Sequence, residues 1–222
     1  MATVDQHPRI FRDRRDAGRA LSERLCPLVG ERPLVLGLPR GGVVLAAEVA
    51  GALRAPLDVV VARKVGAPGN PEYGIGAVAE GGVAVLHDDA IAELGVSSEA
   101  LAQALARATR ELEDAVRCYR AGAAPAPLTD RTAIVVDDGL ATGSTAQAAV
   151  RSVRRRGAAR VVLAVPVCSP AGAELLMREV DELICVERPA LFFAIGCWYA
   201  DFASTTDEEV VAALRPPPAP PA

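Results

Sequence analysis

Aromatic residues are scarce, 4% of the 222 residues, although 51% of the chain is hydrophobic. The core must therefore be built from Ala, Val, Leu and Gly, which suits aliphatic strands and alanine-rich helices. Histidine occurs only as His7 and His87, each isolated in the sequence, and neither reads as a metal ligand or a catalytic base. The five cysteines, at 26, 118, 168, 185 and 197, are odd in number and contain no C-x-x-C pair. That argues against a disulfide framework or a zinc site and fits reduced, mostly buried thiols in a cytoplasm. A G-x-S-x-G nucleophile elbow is missing, which argues against an α/β-hydrolase. No stretch approaches the ~20 apolar residues of a membrane span. The start, "MATVDQHPRIFRDRRD", is charged and lacks the apolar segment of a signal peptide. Basic excess is missing too: the net charge is −4, which argues against a general nucleic-acid binder. The local run Arg151, Arg154, Arg155 and Arg156 reads as a solvated helix end whose cations suit the negative pole of the dipole.

What is present is an alternation of strand and helix. Apolar spacing predicts a helix over 13–29, a buried strand "PLVLGL" over 33–38, a helix over 43–53 and a strand over 57–65. A β-loop-α-β unit of this kind points to a parallel sheet. Residues 66–82 hold six glycines and two prolines in seventeen positions, the composition of a functional lid. "VAVLH" (83–87) should pair with "IGAVA" (75–79) as a hairpin or flap. A long helix is expected over 97–121, capped by Ser97 or Ser98 and ended by Gly122. The pattern then resumes with a strand over 132–136, a helix over 145–156, a strand over 159–167, a helix over 171–180, a strand over 182–186 and a helix near 206–214. Residues 187–205 lack a clear period and carry most of the aromatics, and the tail 216–222 is proline-rich.

The stretch "IVVDDGLATGST" (134–145) concentrates the chemistry. A wholly apolar strand ends in Asp137 and Asp138, beyond the carboxyl end where parallel sheets bind ligands. Gly139, Ala141 and Gly143 permit a tight turn with open backbone amides, Thr142, Ser144 and Thr145 add hydroxyls, and a helix follows. Such a combination cradles a monophosphate. The plainer alternative makes the two acids turn and capping residues.

This stretch resembles the signature of the type I phosphoribosyltransferases: hydrophobic residues, two acids, a short spacer and T-G-[GS]-T. The resemblance implies an α/β fold with a central, mainly parallel sheet flanked by helices, a flexible lid (66–87) and a small C-terminal hood (187–205), within a domain over 10–215. It implies that Ala141 to Thr145, with Thr142, Gly143 and Ser144, hold the 5-phosphate of phosphoribosyl pyrophosphate (PRPP). Asp137 and Asp138 would meet the ribose hydroxyls and support Mg2+ mostly indirectly, through those hydroxyls or water. "LPRGG" (38–42) stands where the family has its pyrophosphate loop, with Arg40 as the cation and Gly41 and Gly42 letting the backbone approach. A non-proline cis peptide is expected at Arg40–Gly41 or Gly41–Gly42, although an ordinary turn would serve as well. Arg63 and Lys64 fall where the family places pyrophosphate-contacting cations; strand ends also carry such cations for solubility.

By the same resemblance, Phe193, Trp198, Tyr199 and Phe202 could form a hood that stacks on the acceptor, or could simply close the core. Ala141 occupies the spacer position where hypoxanthine-guanine enzymes carry Asp, which argues against a 6-oxopurine acceptor. The lid also lacks the motif of an adenine enzyme, so the acceptor is open. The implied activity is transfer of phosphoribosyl from PRPP to a nitrogenous small molecule, as in nucleotide salvage, by a cytoplasmic homodimer without nucleic-acid or membrane partners. The alternative is a PRPP-sensing regulator with little catalysis. "GIGAVA" (74–79) fits a loose dinucleotide pattern but follows no strand-like segment and is set aside.

Overall fold

The computed structural model describes residues 8–215, so the proline-rich tail 216–222 and residues 1–7, including His7, lie outside it. In chain order, α1 (Arg14–Leu25) and a 3-10 turn precede β1 (Leu34–Gly37), α2 (Gly41–Leu53) and β2 (Leu57–Val59). There follow β3 (Ala62–Ala67), β4 (Asn70–Ala79), β5 (Val83–Leu86), α3 (Asp88–Glu93) and α4 (Ser98–Arg120). The last part holds β6 (Thr132–Val136), α5 (Ser144–Arg155), β7 (Arg160–Val167), α6 (Pro170–Leu176), β8 (Glu182–Glu187) and α7 (Asp207–Leu214).

Five strands form a wholly parallel sheet in the order β2-β1-β6-β7-β8, and β3-β4-β5 form a separate antiparallel flap. Side-chain alternation divides the sheet between two cores. Leu34, Leu36, Ala133, Val135 and Leu163 face α5 and the flap, whereas Val35, Ile134, Val136 and Val162 face α1 and α2. A third core joins the other side of the flap to α4 and α7.

Several expectations need correction. The strand expected over 57–65 is two strands in two sheets, broken at Val60 and Val61. All of Val59, Val60 and Val61 are buried, so hydrophobicity stays high across the break and hides it. The glycine-rich segment is not an irregular lid: 70–79 is one long strand, folded back on β3 through a turn with Gly69 at φ 78°. The β4–β5 pairing expected from "IGAVA" and "VAVLH" is present, with Ala79 opposite Val83. Helix α1 stops at Leu25 because Pro27 opens the 3-10 turn, and α6 stops at Leu176. Of the cysteines, Cys26, Cys118 and Cys197 are exposed rather than buried, and all five are free thiols. In the basic run, Arg151, Arg154 and Arg155 are exposed as expected, the first two ion-paired to Glu179 and Asp181, whereas Arg156 is folded inward to donate to the Ala126 carbonyl at 2.8 Å.

Candidate functional site

The chain leaves β1 toward β2 on one side of the sheet, and β6 continues on the other. The carboxyl ends of β1 and β6 therefore flank the topological switch point, where open α/β sheets bind ligands. From β1 emerges Leu38–Gly42, and from β6 emerge Asp137 and Asp138. The two loops touch. The Leu38 N–H donates to the Val136 carbonyl at 2.8 Å. A methyl group on Gly42 would lie 2.5 Å from the Val136 carbonyl oxygen, and one on Gly41 would lie 1.9 Å from Asp138 Oδ2. At Gly42 the obstacle is backbone, so only glycine fits there; a side chain at Gly41 would displace the Asp138 carboxylate and its Arg14 partner. The cis peptide is Pro39–Arg40, one residue before the expected bonds. Gly41 already opens α2, with Val43 N–H bonded to the Arg40 carbonyl, so the Arg40–Gly41 and Gly41–Gly42 bonds are committed to helical trans geometry.

The acid pair is partly buried. Asp138 Oδ2 accepts from Arg14 Nε at 2.9 Å, and Asp137 Oδ1 accepts the Asp138 N–H at 2.9 Å. Tyr199 Oη donates to the Asp138 carbonyl at 2.6 Å. Burial raises the Asp137 carboxyl well above the usual range, and the neighbouring Asp138 charge raises it further. Burial also raises Asp138, with the Arg14 guanidinium opposing it. Arg14 was not foreseen: it lies among several arginines near the N-terminus, and nothing local singles it out.

The loop after the acids is held from below. Leu140 bonds Val167 and Ser169 through its backbone, and Ser169 Oγ donates to the Ala141 carbonyl at 2.5 Å. Gly143 caps α5 at φ 87° without any side-chain cap bond, so the helix's first amides have no side-chain partner at the cap. Thr142, Ser144 and Thr145 line a cleft of about 750 Å³ together with Lys64, Tyr73 and His87. A second cavity, about 640 Å³ and mainly apolar, lies between the flap tip and α4, away from both loops.

The structure brings only some of the expected cations to this cleft. Arg63 and Lys64 are consecutive in β3 and so point to opposite faces. Lys64 reaches the cleft and bonds the Glu72 carbonyl at 3.0 Å. Arg63 instead lies beside the Tyr119 hydroxyl on the α4 side. Tyr119 donates to Asp207 at 2.6 Å, and its pKa is pushed up to about 12, by burial first and then by that carboxylate. Arg40 is exposed, 4.0 Å from the same Asp207.

Of the expected hood residues, Trp198 and Tyr199 are 8% and 6% exposed and join the core under α1, whereas Phe193 is 87% exposed. Phe202 supports the site from behind, with the Arg14 guanidinium 4.0 Å over its ring. His87, which the sequence sets aside as a metal ligand or catalytic base, has its Nε2 2.7 Å from Ser144 Oγ. Only the position of His87 at the end of the flap strand could have drawn attention to it. Among the described residues no group of three or more His, Cys, Asp or Glu is placed to hold a metal, and no helix is long and apolar enough to cross a membrane.

A parallel sheet with two glycine-bearing loops at its switch point, paired acids and an open helix N-terminus defines the type I phosphoribosyltransferase fold. The profile of the phosphoribosyl transferase domain matches residues 2–199, and the chain belongs to that transferase family. A Mycobacterium tuberculosis H37Rv protein named "Putative phosphoribosyl transferase Rv0571c" is 47% identical over 206 residues, 93% of this chain and 46% of that protein. The chain thus spans about half the length of the curated relatives it matches. The crystal structure of TT1426 from Thermus thermophilus has a TM-score of 0.77 at 47% identity, covering 92% of this chain and 97% of that one. A uracil phosphoribosyltransferase of Lactobacillus delbrueckii subsp. bulgaricus is 38% identical over 55 residues, 25% of this chain and 26% of that protein.

Proposed function

We propose that the protein transfers the 5-phosphoribosyl group of PRPP to a nitrogen of a small-molecule acceptor and releases pyrophosphate. The observation that carries this reading is the contact between the Gly41–Gly42 turn and the Asp137–Asp138 pair beside the uncapped start of α5. One ligand spanning these parts would have a phosphate, a ribose and an anionic leaving group. The α5 amides with Thr142, Ser144 and Thr145 would hold the 5-phosphate. Asp137 and Asp138 would accept hydrogen bonds from the ribose hydroxyls and favour the positive charge that develops on the sugar. Lys64, Arg40 and Arg63 are the cations offered to the pyrophosphate, the last two after a rearrangement of their contacts to Asp207 and Tyr119. The flap would exclude water from the reacting centre.

The donor set suits Mg2+. The site has two carboxylates, hard oxygen donors, and Mg2+ is usually bound by one or two carboxylates while ligand phosphates and water complete its shell. When bound, the ion would neutralise charge on the departing pyrophosphate. On this reading Ala141 would leave the acceptor side without a carboxylate in the spacer.

The experiment incubates the protein with magnesium, PRPP and a panel of bases and amines, and follows pyrophosphate. Release with at least one acceptor is expected. PRPP binding without release under any acceptor would replace the enzyme by a PRPP sensor. Asp137→Asn with Asp138→Asn should abolish PRPP binding and leave the circular dichroism spectrum unchanged.

A further inference from the structure

His87 follows β5 and is the N-cap residue of α3, yet its side chain makes no capping bond to that helix. Its backbone N–H is tied to the Ile75 carbonyl at 3.0 Å, which roots the residue on the flap. The imidazole reaches across to the phosphate loop instead, with Nε2 2.7 Å from Ser144 Oγ. Ser144 is buried, is the first residue of α5, and has Thr142 Oγ1 3.4 Å from its hydroxyl. His87, Ser144, Thr142, Thr145 and Lys64 face one cleft.

A serine hydroxyl carries a single proton. If Nε2 accepts that proton in a hydrogen bond, Ser144 has only lone pairs to show an incoming phosphate. If Nε2 bears hydrogen and donates, the serine proton is free for a phosphate oxygen. We infer that His87, protonated at Nε2, orients the Ser144 hydroxyl as a donor to the 5-phosphate of the substrate and is a positioning residue of that cradle. The inference rests on the phosphoribosyl-transfer reading. It also couples the flap to the phosphate site, since His87 is tied to β4 through the Ile75 carbonyl and Ser144 belongs to α5. His87 exchanges no proton with the substrate and makes no covalent bond.

The test is binding of two probes to the intact chain by titration calorimetry: ribose 5-phosphate, and inorganic pyrophosphate with magnesium. His87→Ala should weaken ribose 5-phosphate about tenfold, the effect of one oriented hydrogen bond to a charged group, and change pyrophosphate by less than about twofold. His87→Gln, whose side-chain amide can donate to the serine, should restore most of the affinity. In a Ser144→Ala background, His87→Ala should add little, because the hydroxyl it orients is gone. In nitrogen-15 NMR of the His7→Gln protein, Nε2 of His87 should move into the N–H-bearing range when ribose 5-phosphate is added. Equal affinity of wild type and His87→Ala for ribose 5-phosphate, or an equal loss for both probes, overturns the assignment. Ribose 5-phosphate binding that depends on His87, without pyrophosphate release from PRPP under any acceptor, would overturn the transferase reading and leave the role of His87 standing. No ribose 5-phosphate binding by the wild type would overturn both.

Discussion

Arg14 Nε lies 2.9 Å from Asp138 Oδ2, a bond between the first helix and a strand end 124 residues later. The same guanidinium donates to the Ala203 carbonyl at 2.6 Å and covers the Phe202 ring. Three distant segments thus meet on one carboxylate, which burial pushes toward its neutral form and Arg14 pulls back. Arg14→Gln removes that pull. The Asp138 carboxyl should then titrate at higher pH in the ligand-free protein, followed by carbon-13 NMR. PRPP affinity at neutral pH should fall by about tenfold or more, the scale of one charge-assisted hydrogen bond. An unmoved titration would show that Arg14 is only packing.

Asp137 has no such bond from a cation among the described residues, and its charge opposes folding. A carboxyl whose folded pKa is raised binds more protons folded than unfolded, so stability falls as pH rises. The contribution is intact below the unfolded pKa of about 4 and is lost on passing upward through the raised folded value. Asp137→Asn keeps an oxygen for the Asp138 N–H and removes the charge. In chelator at neutral pH this variant should be stabler, with a higher melting temperature than the wild type. It should also flatten the decline of thermal stability from pH 4 to 8, while PRPP binding is lost. A lower melting temperature would contradict the charge argument.

The parts of the molecule written in local patterns were legible in the sequence. The strand at 132–136 is wholly apolar and ends at two acids, and the structure ends β6 at Val136. The long helix shows a 3.6-residue stripe behind Ser97, and Ser97 Oγ does cap it, accepting the Ala100 N–H. The grouping of Gly41 and Gly42 with the acid pair was implied by resemblance, and the close approaches at both glycines supply its physical reason. What was hidden is non-local. The break at Val60 and Val61 has no polar mark because both sheets bury it. Arg14 and His87 look ordinary in their own neighbourhoods; partners 124 and 57 residues away define them.

Arg120 belongs with these hidden residues. It is one of two arginines in the last turn of α4 and carries no local mark, yet its side chain is 5% exposed. One terminal nitrogen bonds both oxygens of Asp58 at 3.0 Å. The other bonds the Val59 carbonyl at 2.8 Å and the Glu80 carboxylate at 3.1 Å. It therefore rivets the edge of the parallel sheet to the flap just where the chain crosses between them. Arg120→Met would leave two partly buried carboxylates unpaired, for which about 3–5 kcal/mol is the usual cost. Thermal unfolding should drop by roughly 6–12 °C or more, on ~2–4 °C per kcal/mol for this chain length. Adding Asp58→Asn and Glu80→Gln should recover part of the loss, because the two carboxylate charges that Arg120 offset are then gone, although Arg156 beside them keeps its own. A single variant as stable as wild type would mean the network contributes nothing.

The aromatic C-terminal segment divides between two jobs, and stability separates them. Trp198 is buried beneath α1, with its carbonyl accepting the Phe11 N–H at 2.8 Å. Removing a core side chain of that size costs about 3–5 kcal/mol. Trp198→Ala should therefore unfold early and lose activity through its fold. Phe193 is 87% exposed, with Leu191 at 76% close by, on the 188–194 loop. Surface changes of this kind fall within about ±0.5 kcal/mol, so Phe193→Ser should leave the melting curve unchanged. If Phe193 stacks on the acceptor, PRPP affinity should also stay constant while the acceptor KM rises about tenfold, since base–aromatic stacking is worth about 1–3 kcal/mol. An unaltered acceptor KM would remove Phe193 from the acceptor site. With Trp198 and Tyr199 already committed to the core, acceptor recognition would then pass to the wall of the cleft formed by Tyr73 and the flap.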